Sequence, residues 1–259
     1  MSQLTFTLIQ SNLVWEDKAA NLLNFEQKLK SIEGKKQVVI LPEMFATGFS
    51  MQPDIHAEEM NGPCVQWMLA QSAAHKIILC GSLMIKENNQ YFNRLLWVQP
   101  NGEIVHYDKR HLFSFAGEDK HFTAGEKRVI VSVNGWRILL QVCYDLRFPV
   151  FARQQSTNEY DAILYVANWP ERRIDAWDTL LKSRAIENQC YTIGVNRIGH
   201  DGNDIYHNGS SSIYSPMGET LYNKQQDEDI FSINLDKSEL ENVREKLPFL
   251  KDRDSFSIV

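Results

Sequence analysis

The chain has 259 residues, of which 43% are hydrophobic and 23% charged, a balance that excludes disorder and fits one large folded domain or two small ones. Twenty-seven Lys and Arg stand against 33 Asp and Glu, a net charge of −6 with no Lys/Arg-dense stretch, so neither nucleic acid nor an anionic membrane is an expected partner. Cys64, Cys80, Cys143 and Cys190 form no CxxC pair, which argues against a disulfide framework or a zinc ribbon.

The opening MSQLTFTLIQSNLVW has no basic segment and no small-residue cleavage site, so no secretory leader is expected. No apolar run approaches the roughly 20 residues of a membrane span. The expected place is the cytoplasm, with reduced thiols. Leu4, Phe6 and Leu8 alternate with polar residues and predict a strand. Lys18–Ile32 predicts a helix with Leu22, Phe25, Leu29 and Ile32 on one face. QVVILP reads as a buried strand ending at Pro42. Val65–His75 reads as a helix, Ile77–Ile85 and Tyr91–Val98 as strands, and a Pro100–Glu103 turn leads into Ile104–Tyr107.

Asp108–Lys127 is polar and irregular, and a loop of that length in a compact domain is usually functional or mobile. Val129–Val133 and Arg137–Cys143 form a hairpin across Asn134-Gly135. Ala162–Ala167 is a further strand, broken by Asn-Trp-Pro, and Asp175–Gln189 is a helix with Trp177, Leu180 and Leu181 among its apolar positions. Tyr191–Asn196, Ser211–Tyr214, Glu219–Tyr222 and Ile230–Asn234 are short strands, and a last helix starts near Lys237 with Ser238 as its cap. No repeat and no Pro/Gly/Ser-rich linker divides the chain, so one α/β domain over residues 1–259 is expected, with a C-terminal tail from about 237. The alternation of elements fits helices layered on β-sheets.

Three segments deliver a reactive side chain directly after an apolar strand: VVILPEMF gives Glu43, EIVHYDKRHLF gives Lys109, and RILLQVCYDLRFP gives Cys143. In α/β sheets, sites gather beyond strand ends. A thiol, an ammonium and a carboxylate meeting there form a complete covalent catalyst: nucleophile, oxyanion donor and general base. Each also has a plainer reading. A Glu after a strand is usually a solvated loop residue, Lys109 lies in the charged run Asp108–His111, and a cysteine ending LLQVC can be simple core.

Read together, LPEMF, YDKRHLF and CYDLRFP resemble the signature segments of the nitrilase, or carbon–nitrogen hydrolase, superfamily. The resemblance extends to YVANWP and SRAIENQCY and covers essentially the whole chain in one order. It implies a four-layer α-β-β-α sandwich in a single domain. It assigns catalysis to Glu43, Lys109 and Cys143, with Glu118 of FAGEDKHFTAG as a further glutamate orienting Lys109 or the amide, and no metal or cofactor. Lys109 and the Tyr144 backbone N–H are the implied oxyanion donors. Within the superfamily the sequence is most similar to omega-amidases, which hydrolyse the terminal amide of 2-oxoglutaramate and 2-oxosuccinamate. The segment Trp169–Arg173 departs from the pattern of the eukaryotic branch. An oxo-acid carboxylate needs a cation, for which Arg147, Arg172 and Arg173 are candidates. Arg147 is as readily a structural partner of an Asp or Glu. Trp169 and Phe115 are candidates for the pocket wall, although aromatic residues at such places are more often core. Family members commonly pair across helices, so a homodimer is expected; Asp175–Gln189 is compatible with that pairing and equally with a plain core helix.

Other readings are weaker. Gly209–Ser212 faintly resembles serine amidases but lacks the double-glycine context and reads as loop and strand. A Cys–His protease using His111, His200 or His207 lacks the local cysteine signature. There is no HExxH, GxxxxGK[ST] or GxGxxG. A non-catalytic scaffold would need one of the three reactive residues missing.

Overall fold

The alternation at the N-terminus becomes strand β1 (Gln3–Gln10), and helix α1 (Lys18–Ser31) follows, capped by the Asp17 carboxylate accepting from Ala20 N at 2.9 Å. The computed structural model describes residues 2–258. Strand β2 (Val38–Ile40), a single turn α2 (Pro53–His56) and helix α3 (Pro63–His75) come next, then strands β3 (Ile78–Glu87), β4 (Gln90–Val98) and β5 (Ile104–Asp108). The irregular stretch after β5 contains two 3-10 turns, Ser114–Ala116 and Glu118–Lys120. The hairpin is β6 (Ile130–Val133) and β7 (Trp136–Val142), turning on Asn134 and Gly135, both at positive φ. After the short α4 (Pro149–Ala152) come β8 (Ala162–Ala167), α5 (Ile174–Asn188), β9 (Tyr191–Asn196), β10 (Ile198–His200), β11 (Tyr206–Tyr214), β12 (Thr220–Gln225), β13 (Asp229–Asp236) and α6 (Lys237–Lys246).

Two mixed sheets result. The first runs β13-β1-β2-β3-β4-β5, with β1, β2 and β3 mutually parallel. The second runs β10-β11-β9-β8-β7-β6, with β12 added on β11 and with β7, β8 and β9 parallel. β1 pairs with β13 along its whole length, from Gln3 opposite Asp236 to Gln10 opposite Asp229.

Both faces of the first sheet are buried, and the period of two decides which residue goes where. Leu8, Val38, Ile40, Cys80, Leu95 and Trp97 face the second sheet. Ile9, Val39, Leu41, Leu79, Leu96 and Val98 face α1 and α3 with Phe25, Leu29 and Met68. On the far side α5 buries Trp177 and Leu181 against Gly194 of β9, where an added Cβ would meet Leu181 at 2.6 Å and Trp177 at 2.7 Å. The layers are therefore helix, sheet, sheet, helix, the expected four-layer sandwich in one domain.

Two details differ from the sequence expectation. The last helix is capped by Asp236, whose carboxylate accepts from Ser238 N at 2.9 Å, and Ser238 is the second helical residue. The bend at Ser210 and Gly209, both at positive φ, lies inside a nine-residue β11, because the bulge against β12 absorbs the irregularity. The tail docks on its own chain: Leu240 is buried in the core, and Arg244 donates to the carbonyls of Gln189 and Tyr160 at 2.9 and 2.6 Å. No helix among the described residues is long and apolar enough to cross a membrane.

Candidate active site

The parallel strands β2, β7 and β8 end on the same side of the sandwich, and each releases a functional side chain there. Glu43 follows β2, Cys143 follows β7 and Asn168 follows β8. Lys109 follows β5 and Glu118 opens the second 3-10 turn. Glu43, Lys109 and Glu118 are completely buried. Lys109 Nζ lies 3.0 Å from Glu43 Oε1 and 3.0 and 2.9 Å from the two Glu118 oxygens.

Every carboxylate oxygen is supplied with donors. Glu43 Oε1 also accepts from Asn93 Nδ2 at 2.8 Å, and Glu43 Oε2 accepts from the Asn168 backbone N–H at 2.9 Å. Glu118 Oε1 accepts from Asn93 Nδ2 at 3.1 Å, and Oε2 from Phe113 N at 2.6 Å. Two anions and one cation leave the cluster one negative charge in excess. Burial works against the Lys109 ammonium, but Glu118 and Glu43 outweigh it and displace its pKa upward. Burial pushes the Glu118 carboxyl up, with Lys109 opposing and Glu43 adding.

Cys143 is the first residue beyond β7 and has φ +46°. A non-glycine residue in that region is strained by about 1–3 kcal/mol and persists only where its surroundings hold it. The holder is Asp145, also fully buried. Its Oδ2 accepts from Val142 N at 2.9 Å and Tyr107 Oη at 2.8 Å. Its Oδ1 accepts from His111 N at 3.0 Å and His111 Nδ1 at 2.7 Å. One side chain thus ties the Cys143 turn to the segment carrying Lys109. Asp145→Ala would strand the buried Tyr107 hydroxyl and Val142 N–H, at about 1–3 kcal/mol each. A fall in Tm of roughly 5–15 °C is expected in a thermal melt.

Burial pushes the Cys143 thiol well above its ordinary pKa, Glu43 adds to the rise, and Lys109 and the Asn168 backbone N–H oppose it. The resting sulfur is therefore a thiol at neutral pH. An attack by it needs a base alongside, and Glu43 is the neighbouring carboxylate.

Cys143 opens onto a cavity of about 450 Å³. Phe49, Met51, Phe113, Trp169 and Pro170 give it apolar walls, and Arg147, Arg172 and Arg173 border it. Arg147 lies over the Trp169 ring at 5.1 Å and Arg173 over the Phe113 ring at 5.0 Å. None of the three arginines forms a salt bridge among the described residues, so Arg147 is not the ion-pair partner that one sequence reading allowed. Phe115 borders the cavity and is 81% exposed, so it is not core; the inner aromatic is Phe113, packed on Tyr144 at 4.9 Å. Trp169 is buried; its backbone N–H donates to Asn196 Oδ1 at 2.8 Å and its indole Nε1–H to the Arg173 carbonyl at 2.7 Å. His207, also on the lining, is buried, and burial and Arg197 push its pKa down to about 4, so its ring is neutral.

The structure brings Glu43, Lys109 and Glu118 into direct contact and sets Cys143, Tyr144 and the three arginines on the adjoining cavity. Asn93, Asp145 and Asn168 escape the sequence reading. Asn93 had a signal, since an asparagine inside the strand YFNRLLWV is out of place by β-propensity.

Residues 5–245 match the carbon-nitrogen hydrolase family. The chain belongs to that family. This carbon–nitrogen hydrolase is 42% identical over 259 residues to the omega-amidase YafV of Escherichia coli (strain K12), with 100% of both chains covered. It is 28% identical over 251 residues to the 2-oxoglutaramate amidase of Bacillus subtilis (strain 168), with 96% of both covered. A crystal structure of a CN-hydrolase superfamily protein from Xanthomonas campestris, which has an arsenic adduct in its active site, matches with a TM-score of 0.97 at 40% identity and covers 100% of both chains. This carbon–nitrogen hydrolase is accordingly an enzyme that hydrolyses amides.

Proposed function

We propose that the protein is an omega-amidase, hydrolysing the terminal amide of short 2-oxo dicarboxylic mono-amides such as 2-oxoglutaramate and 2-oxosuccinamate to the oxo-diacid and ammonia. Cys143 Sγ attacks the amide carbon while its proton passes to Glu43. Lys109 Nζ and the Tyr144 backbone N–H stabilise the oxyanion. The two Glu118 oxygens can share one Lys109 hydrogen, which leaves another for the substrate. Collapse breaks the C–N bond, and Glu43 returns the proton to the leaving nitrogen, releasing ammonia. Water then attacks the thioester, Glu43 takes its proton, the C–S bond breaks and the thiolate recovers a proton from Glu43. The oxo-diacid leaves.

The observation that carries the substrate class is Arg173. Burial lowers its pKa, and Arg172 and Arg147 lower it further, while Cys143 lies close enough to act against them. A half-buried guanidinium among other cations and without a carboxylate is stabilised by an arriving anion. The free carboxylate of the substrate supplies that anion while its amide end reaches the thiol. The omega-amidase and 2-oxoglutaramate amidase names of the relatives point the same way.

The test is ammonia release across 2-oxoglutaramate, 2-oxosuccinamate, glutamine, aliphatic amides, nitriles and a carbamoyl-amine. Preference for a nitrile or a carbamoyl-amine overturns the reading. Arg173→Met is expected to raise KM for 2-oxoglutaramate about ten- to a hundred-fold, the loss of one charge-assisted contact of about 1.5–3 kcal/mol, and to leave KM for an uncharged amide nearly unchanged.

A further inference from the structure

We propose that Asn93 is a positioning residue for catalysis: its side-chain amide holds Glu43 and Glu118 side by side as carboxylates and so keeps Glu43 ready to accept the Cys143 proton. The inference rests on the assignment of Glu43 as the base, and on no particular substrate.

The geometry is specific. Asn93 Nδ2 sits 2.8 Å from Glu43 Oε1 and 3.1 Å from Glu118 Oε1, so its two hydrogens go to two different anions. The Asn93 backbone carbonyl accepts from Lys109 N at 3.0 Å, so the same residue also fixes where the ammonium stands. Asn93 is buried, and its Oδ1 has no hydrogen-bond partner among the described residues. Turning the amide over would aim that oxygen at two carboxylates. The unpartnered acceptor therefore identifies the nitrogen as the functional end. An unsatisfied buried acceptor is a cost that packing alone would remove with an apolar residue.

The charged and titratable groups facing Glu43 are Lys109 from the end of β5, Glu118 from the 3-10 turn and Cys143 from the end of β7. Lys109 is shared between the two glutamates, so it cannot neutralise both. Repulsion between like charges favours protonating one of them, and a proton on Glu43 would disable the base. Hydrogen bonds to the charged form oppose that protonation, and Asn93 gives one to each carboxylate without adding a net charge.

The expected result is a change in pH profile at nearly constant KM. Asn93→Ala should lower kcat about ten- to a hundred-fold and move the acid limb of kcat/KM up by about one pH unit, because the carboxylate pair loses a donor that favours its charged form. Asn93→Asp should move it further up, and Asn93→Ser, which keeps one donor, should lie between Ala and the unmodified enzyme. Folded Ala and Asp variants with an unmoved acid limb overturn the inference. In the unmodified protein labelled with 15N-asparagine, two side-chain amides, those of Asn93 and Asn168, should titrate at the midpoint of that limb. Finding one or none overturns it even if no variant folds. Glu43→Gln separates the two levels. If it stays active, the base assignment falls; if it is inactive while the Asn93 variants keep the normal limb, only the role of Asn93 falls.

Discussion

Replacing Cys143 by alanine is expected to remove turnover, by about 10⁴-fold or more, as loss of a covalent nucleophile does. The melting temperature should change by no more than a few degrees. Alanine keeps the Cβ, so the positive φ at 143 is no worse, and the Asp145 contacts that hold the turn do not involve the sulfur. Ammonia release and a thermal melt give both numbers. The four cysteines also differ in access: Cys143 is 9% exposed and faces the cavity, whereas Cys64, Cys80 and Cys190 are at 1% or less. Iodoacetamide should therefore inactivate the enzyme by alkylating Cys143 first. Inactivation with Cys143 unmodified and another cysteine labelled would remove the assignment.

Lys109→Met is expected to damage both activity and stability. The ammonium is completely buried between two buried carboxylates, and removing one partner of such a cluster costs about 3–5 kcal/mol. Loss of one oxyanion donor costs a further 10²–10³-fold, roughly, in kcat. The stability loss has a definite pH dependence. Burial already raises the Glu118 pKa with Lys109 present, and without Lys109 it rises further. A carboxyl raised above its unfolded value, about 4.3, favours the folded state fully below that value and loses the advantage as pH rises through the folded value. The deficit of Lys109→Met in urea unfolding should therefore be small near pH 4 and large at pH 7–8. A deficit independent of pH would show that the carboxylates are not what the lysine neutralises.

Glu43, Lys109 and Cys143 could be picked out because each follows a strand, and strand ends are where a sheet presents side chains. The layers were legible because β2 to β4 carry apolar residues at both parities, which requires cover on both faces. Asp145 was not legible, because its work is to accept four hydrogen bonds, three of them from Tyr107 and His111, which are more than 30 positions away. Asn93 carried a local signal, its place inside a strand, but its role was hidden because its partners are 25 and 50 residues distant. The arginines could be named as a group but not ranked. What sets Arg173 apart is desolvation, which arises from folding and has no local pattern. The cap at Asp236 was misread as Ser238 because both residue types cap well and lie two positions apart.

The pairing of β1 with β13 bears on how the protein is made. Gln3 waits for Asp236, 233 positions later. At a synthesis rate of about 5–20 residues per second, that interval lasts roughly 10–50 seconds. For that time one edge of a sheet strand rich in leucine and phenylalanine stays open on the nascent chain, where another polypeptide could pair with it. Closure of the first sheet therefore waits for β13, and a chaperone that shields β1 during elongation is expected to raise the yield of folded enzyme without touching its stability.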